Sequence, residues 1–390
     1  MKRLPWEYGV RNMMRSPLRT ALGSAGSLLV VLLVLAAGAF VAGMQGSLNQ
    51  SANPNNFILM STGSQDSLER SQISNRVITK AENLECVKSA MGVKYVSPEA
   101  VEMTMLRPEK NSEEQYQLTL RGIKPAAFLV HPGIKITAGR APQAGQDEIM
   151  LGKLALSRLG GDKSRYEVGK TIFFDGRPWK ICGHFQAPNT VFEAEAWVPL
   201  TELQIATKRT DGISAIFLTI DPQKGDEAEI EELTTDDISL EITYLKESEY
   251  YSRLSTFFKP VRIMVWVTAI LIAAGGLFGG LNTMYASFAA RVREMGALQA
   301  LGYQRRAIVI SLIQESILTA SMGTLLGALI GILTLDGIAV NFASGAFELS
   351  INGPVLGFGL ISGFALGAVG AIPPAIRCLK MEIPQALKSH

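Results

Sequence analysis

The sequence predicts an α-helical membrane protein of four spanning helices that carries one extracytoplasmic α+β domain. Three observations predict it. Four runs, 20–44, 261–286, 308–335 and 353–376, are apolar over the length of a span. A helix rising about 1.5 Å per residue crosses a hydrocarbon core of about 30 Å in about 20 residues. Residues 45–260 contain no further run of this kind. The charges divide unevenly: segments 1–19, 287–307 and 377–390 together hold 12 Lys and Arg against 3 Asp and Glu, whereas 47–259 hold 24 against 29. An excess of basic residues marks the cytoplasmic side of a membrane protein. All three short basic segments fall on one side if there are four spans, so both termini are expected inside and 45–260 outside.

Residues 1–19 read as a cytoplasmic amphipathic entry helix. Trp6, Val10, Met13 and Met14 fall near one helical face and Arg11 and Arg15 near the other, which suits a helix lying in the interface. Pro17 then bends or breaks it. The run 20–44 is too long for the apolar core of a secretory signal peptide, and five basic residues precede it, so it reads as an uncleaved span. Asn49 to Asn56 is a turn-rich exit. In the domain, short β-like runs at 56–61, 94–96, 116–121, 171–174, 179–182, 196–199 and 215–220 alternate with helical stretches at 73–90, 125–129, 153–159, 226–233 and 244–258. Two lobes are expected, and a chain of this length can build a core. The second span is glycine-rich, with Trp266 and Tyr285 as interfacial anchors. Segment 287–307 is short, basic and apolar in its middle, and it stops at Gly302. The external loop 336–352 carries Asp336 and Glu348 and no Lys or Arg. A basic tail, 377–390, ends the chain.

Several constellations bear on chemistry. Gly323, Gly327 and Gly331 recur at four-residue spacing in the third span, and Gly359, Gly363 and Gly367 do so in the fourth. Small residues let helices approach closely in lipid, within one chain or against a second copy. Glu315 lies about two turns into the third span, where a carboxylate costs roughly 2.5–3.5 kcal/mol on insertion scales and needs a partner or water. It reads either as a proton or substrate site or as a hydrogen-bonded structural acid. No intramembrane base stands out to match it. Gly169-Lys170-Thr171 imitates the end of a phosphate-binding loop, but the required earlier glycine is Ser164 and the residues that follow read as strand. No catalytic or metal-ligating pattern stands out, so the chain is expected to be no enzyme and to hold no cofactor or metal. Cys86 and Cys182 are either a disulfide or two separate buried thiols, and His131, His184 and His390 are scattered.

Segment 289–309 also carries a resemblance. Arg291, Arg293, Glu294, Gly296, Leu298, Ala300, Leu301 and Gly302 match the run R-x-R-E-x-G-x-L-x-A-L-G of the FtsX/MacB-like permeases of ABC transporters, the type VII exporter architecture. Arg305-Arg306 and Gln314-Glu315 fit as well. Gln299 stands where the family usually has a basic residue. Arg11-Asn12 and Leu18-Arg19-Thr20 resemble its entry helix, and Ile383-Pro384-Gln385-Ala386-Leu387-Lys388 its ending. Arg121-Gly122, Ala138-Gly139-Arg140, 149–152, 168–172 and 181–183 resemble landmarks of the MacB-type periplasmic core domain. The resemblance implies a permease that dimerises in the bacterial inner membrane and works with separate ATPase subunits, ATP and Mg being held by that partner. A periplasmic adaptor is a further possible partner.

In that family 287–307 would be the coupling helix, with Arg291, Arg293, Glu294, Met295, Gly296, Leu298, Leu301 and Gly302 at the ATPase contact. Charge and fork-like donors would orient it, and Met295, Leu298 and Leu301 would form an apolar ridge. The same arginines also suit contact with anionic lipid. The resemblance implies mechanotransmission that exports or extracts a lipid, lipoprotein, peptide or drug. It alternatively implies regulation of a periplasmic or cell-wall partner without transport. A membrane-anchored sensor or binding protein is a reading from another class, and it leaves three further spans unexplained.

Overall fold

A computed structural model describes residues 13–15, 17–160, 163–224, 227–236, 238–342 and 345–379. The entry-helix residues Trp6, Arg11 and Asn12, and the tail from Lys380 with His390, lie outside the described residues. The chain divides into two compact units. One comprises 1–42, 260–338 and 349–390, the other 43–259 and 339–348.

The helices are α1 (Pro17–Ser51), α2 (Arg76–Asn83), α3 (Ala127–Val130), α4 (Lys153–Arg158), α5 (Leu200–Ala206), α6 (Ala228–Asp236), α7 (Glu247–Phe257), α8 (Lys259–Ala289), α9 (Val292–Ala300), α10 (Arg305–Leu335) and α11 (Gly353–Leu379). Four of them, α1, α8, α10 and α11, are long and apolar enough to cross a membrane. Helix α1 continues to Ser51, beyond Met44, and its last residues belong to the second unit.

In the first unit the six glycines all serve contacts within one chain. A Cβ at Gly327 would stand 2.9 Å from the Leu28 carbonyl oxygen of α1, and one at Gly331 2.7 Å from a Leu35 methyl. Gly323 abuts Ser24 and Ser27, Gly359 abuts Leu35, Gly363 abuts Val31 and Thr324, and Gly367 abuts Ala320. Without side chains at these six positions, α1, α10 and α11 approach to backbone contact and gain dispersion contact that lipid does not replace. Ser27 adds a hydrogen bond, its hydroxyl donating to the Ala320 carbonyl at 3.2 Å. Helix α8 is less enclosed: Ile263, Met264, Ile270, Leu271 and Phe278 are each more than half exposed.

The second unit is built on a ten-stranded sheet of β1 (Asn56–Ser61), β2 (Val96–Arg107), β3 (Tyr116–Ile123), β4 (Lys135–Gly139), β5 (Glu148–Gly152), β6 (Thr171–Phe174), β7 (Arg177–Gln186), β8 (Glu195–Pro199), β9 (Ala215–Thr219) and β10 (Ile242–Lys246). The order is β10-β1-β9-β2-β3-β8-β5-β7-β4, with β6 paired to β7 and β2. The β8–β3 and β7–β5 pairs are parallel and the rest antiparallel. One sheet therefore runs through both of the lobes the sequence suggests. Apolar clusters cover it, one around Trp179, Leu118 and Ile181 and another around Leu59, Ile216 and Val77.

Four stretches differ from the sequence expectation. Helix α2 ends at Asn83, and the rest of 73–90 is turns and short strands. Tyr244 lies in β10, paired with Leu59, so α7 starts only at Glu247. Strand β2 is 12 residues long and includes Pro98 and Glu99. Proline and acid within a strand argue against one by local propensity, and the sheet overrides that preference by supplying Glu99 with partners from elsewhere in the chain. Residues 336–352 are more than a loop. They hold a hairpin, β11 (Ala339–Phe342) and β12 (Gly345–Glu348), that belongs to the second unit. Ala346 packs with Leu154 and Ala194, and Lys153 forms an ion pair with Glu348 at 2.7 Å. Gly169-Lys170-Thr171 leads into strand β6, so it opens no helix of the kind a phosphate loop needs.

Cys86 and Cys182 are free buried thiols in different apolar clusters. Burial first, with nearby Glu229 for Cys86 and Glu148 for Cys182, pushes both up to about 11. At neutral pH they stay protonated and weakly nucleophilic.

Candidate functional site

The segment between α8 and α10 is closed at its C-terminal end by backbone geometry. Gly302 adopts φ +89°, a left-handed conformation that costs glycine little. That turn lets the Tyr303 amide donate to the Leu298 carbonyl at 3.1 Å and the Gly302 amide to Gln299 at 3.0 Å, the paired bonds of a Schellman cap. Helix α9 is therefore short by construction.

Its two faces have different jobs. Met295 is 3% exposed and packs with Phe288, Ile308, Leu312 and Ala375, and Leu298 and Tyr303 join this cluster. Gly296 is buried too. The ridge of Met295, Leu298 and Leu301 expected from the sequence is thus split. Met295 and Leu298 hold α9 to the neighbouring helices of its own unit, and of the three only Leu301 is turned outward, 69% exposed. Arg293 and Glu294 are also exposed. Gln299 accepts a hydrogen bond from Arg305 Nε at 3.4 Å.

Arg291 corrects the expectation most. It is not an outward docking charge but is 5% exposed. Its Nη1 donates to both carboxylate oxygens of Glu315, at 3.1 and 2.9 Å, and its Nε donates to Glu294 at 3.2 Å. Glu315 therefore has a base after all, supplied by the turn before α9. This bridge pairs Glu315 and fastens α9 to α10. A paired, hydrogen-bonded charge is the form in which a carboxylate is tolerated at such depth. Glu315 also borders an apolar cavity of about 680 Å³ between α1, α8 and α10.

A family model of the MacB-like periplasmic core domain matches residues 20–235, and one of the FtsX-like permease C-terminal region matches 266–383. The chain belongs to the MacB/FtsX-like ABC transporter permeases. The permease YknZ of Bacillus subtilis (strain 168), itself described as uncharacterized, is 23% identical over 77% of this chain and 78% of its own length. The macrolide export ATP-binding/permease protein MacB of Campylobacter jejuni subsp. jejuni serotype O:23/36 (strain 81-176) is 22% identical over 59% of this chain. This permease spans only 37% of the length of that relative. Among solved structures, the periplasmic region of MacB from Actinobacillus actinomycetemcomitans aligns with 52% of this chain and 94% of its own, at 14% identity and a TM-score of 0.41.

The permease's second unit holds a buried charge network that sequence reading missed. Side chains two apart on a strand share a face. Register sets Val101 of β2 opposite Arg121 of β3, and Trp197 of β8 on its other side. Glu99, Arg121 and Glu195 therefore meet on one face. Arg121 Nε and Nη2 donate to the two oxygens of Glu195, each at 2.6 Å, and Nη1 donates to Glu99 at 2.6 Å. Ser97 and His131 complete the shell of Glu99, at 2.8 and 2.9 Å. The Arg121 guanidinium lies 5.0 Å from the centre of the Phe192 ring. Arg121 was legible only as a family landmark, and His131 looked unremarkable. No local signal marks the network, because Glu99 and Glu195 lie 22 and 74 residues from Arg121 in sequence.

Burial alone pushes Glu99 up, but the His131 and Arg121 charges outweigh it and hold the carboxyl down to about 2. Burial pushes His131 down, and Glu99, aided by Glu247, outweighs this and leaves it above its ordinary value of 6.5. The signs follow from linkage. The His131 contribution is fully present below pH 6.5 and is lost as pH rises through the higher folded value. The Glu99 contribution is present above the ordinary carboxyl value and is lost only as pH falls toward 2. The stability of this unit is therefore expected to decline above pH 6.5, with a slope of up to about 1.4 kcal/mol per pH unit for one proton. Denaturant titrations of the full chain at several pH values, read by tryptophan fluorescence, check it. His131→Gln should remove the decline.

Proposed function

We propose that this chain is the permease subunit of an ABC transporter. It couples ATP hydrolysis on a separate ATPase subunit to export or extraction of a hydrophobic or amphipathic substrate. The coupling is by mechanotransmission, with ATP and Mg on the partner. In this reading two permease copies act together in the bacterial inner membrane, with both termini cytoplasmic, as the uneven distribution of basic residues supports.

The observation that carries the reading is the two-faced segment at α9. Its inner face is packed and ion-paired to α10, and its outer face offers Arg293, Glu294 and Leu301. A partner pressing on that outer face moves a rigid piece, and the Arg291–Glu315 bridge passes the displacement to a spanning helix. Interface energy concentrates in a few central residues, each worth about 2 kcal/mol or more. Replacing Glu294 by Gln and Leu301 by Ala together should therefore weaken association with the co-expressed ATPase by about 30-fold or more and remove its stimulation. Membrane insertion should persist, because both side chains are exposed. ATPase rates of the purified complex, beside a pull-down titration, check this; unaltered stimulation would refute the docking role of α9.

A further inference from the structure

The second unit contains a cavity of about 210 Å³ on the same face as the charge network, and nothing in the coupling reading uses it. Its walls are largely apolar: Leu48, Val101, Leu254, Tyr250 and Tyr251 from the sheet and the flanking helices, and Phe258 with Phe342 and Phe347. The last two come from the hairpin β11–β12. The Phe258 and Phe342 rings meet edge to face at 5.5 Å, so the hairpin roofs the space with aromatic surface. At interior packing density this volume holds roughly ten non-hydrogen atoms.

The polar part of the lining is unbalanced. The charged groups on the walls are Asp66, Glu69 and Glu195 against Arg121. Arg121 has no charge to spare, because Glu195 and Glu99 occupy its Nε, Nη1 and Nη2. Glu69 is half-buried, and burial together with the nearby Glu195 raises its pKa. Tyr251 is 3% exposed and lines the cavity. An anion entering here would face carboxylates with no free donor cation. A cation would neutralise the excess, and the aromatic faces around it attract positive charge as well.

We propose that this cavity binds a small organic cation with an apolar body, an arylalkyl- or alkylammonium group, its charge held by Glu69 and its hydrocarbon against Tyr251, Phe258, Phe342 and Phe347. The ammonium donates to the Glu69 carboxylate and to the Tyr251 hydroxyl oxygen. The ring or chain fills the space beneath the hairpin. This site is independent of the ATPase-coupling segment, and its test needs no ATPase.

The test uses the full chain in nanodiscs of zwitterionic lipid, with saturation-transfer NMR and titration of three probes of one shape: phenethylammonium, phenethyl alcohol and phenylacetate. Phenethylammonium should bind at least tenfold more tightly than either of the others, the discrimination expected of a hydrogen bond to a charged group. Glu69→Gln should remove that preference. Ser67→Phe, which places bulk at the cavity wall, should exclude all three probes. Intact folding of both variants is read from the tryptophan fluorescence spectrum and the elution volume. Equal binding of the alcohol and the ammonium, or a preference that survives Glu69→Gln, overturns the proposal. Should Glu69→Gln not fold, a phenethylammonium signal that persists in Ser67→Phe overturns it instead.

Discussion

Replacing Arg291 by Leu should destabilise the membrane-spanning unit by about 3–5 kcal/mol, because it leaves Glu315 buried without its counter-charge. The Glu315 side chain is 12% exposed and the Arg291 side chain 6%, so water screens neither. Exposed ion pairs contribute little, but a buried pair broken on one side leaves a full desolvation cost behind. The double variant Arg291→Leu with Glu315→Leu should recover most of the loss, since two apolar side chains suit that depth. Both should lose ATPase stimulation, because the bridge between α9 and α10 is gone in each. Denaturation in detergent separates the effects: stability drops in the single variant and returns in the double, while coupling stays absent. A double variant as unstable as the single would show that the ion pair is not what Arg291 supplies.

The second large effect is expected at Arg121. Substitution by Met removes the donors to Glu195 and Glu99, which then face each other in a buried space. The expected cost is again about 3–5 kcal/mol, a large fraction of the whole stability of a typical domain. The second unit should lose its cooperative unfolding transition near neutral pH. Adding Glu99→Leu and Glu195→Leu should restore a transition, because an apolar set of similar volume needs no compensating charge. Tryptophan fluorescence reports on this directly, since Trp197 Nε1 donates to Glu195 at 3.1 Å. If Arg121→Met alone unfolds normally, the network is not a determinant of stability.

Much of this architecture was legible because it rests on one-dimensional signals. A span is a length of apolar sequence, and the terminal turn of α9 is a glycine after a helical run. The segment 287–307 stood out by charge and by its family motif. Long strands with mixed composition were not legible. Strand β2 hides behind Pro98, Glu99 and Glu102 because its stability comes from neighbours in the sheet and not from its own residues. The loop 336–352 concealed a hairpin for the same reason, since its aromatic residues have no partner until the second unit is folded.

The sequence by itself determined four spanning helices, a large domain between the first two, a basic segment between the second and third, and membership of a permease family. Hydrophobicity, charge and motif are properties of consecutive residues, so they survive without coordinates. Tertiary structure alone decided which side of α9 is buried. Helical period tells which residues share a face, as Arg291, Met295 and Leu298 do, but not which face meets protein. It also decided that Arg291 and Glu315 form a pair, that Arg121 joins Glu99 to Glu195, and that the hairpin roofs a cavity. Each of these is a contact between residues distant in the chain, whose energy comes from removing both partners from water together.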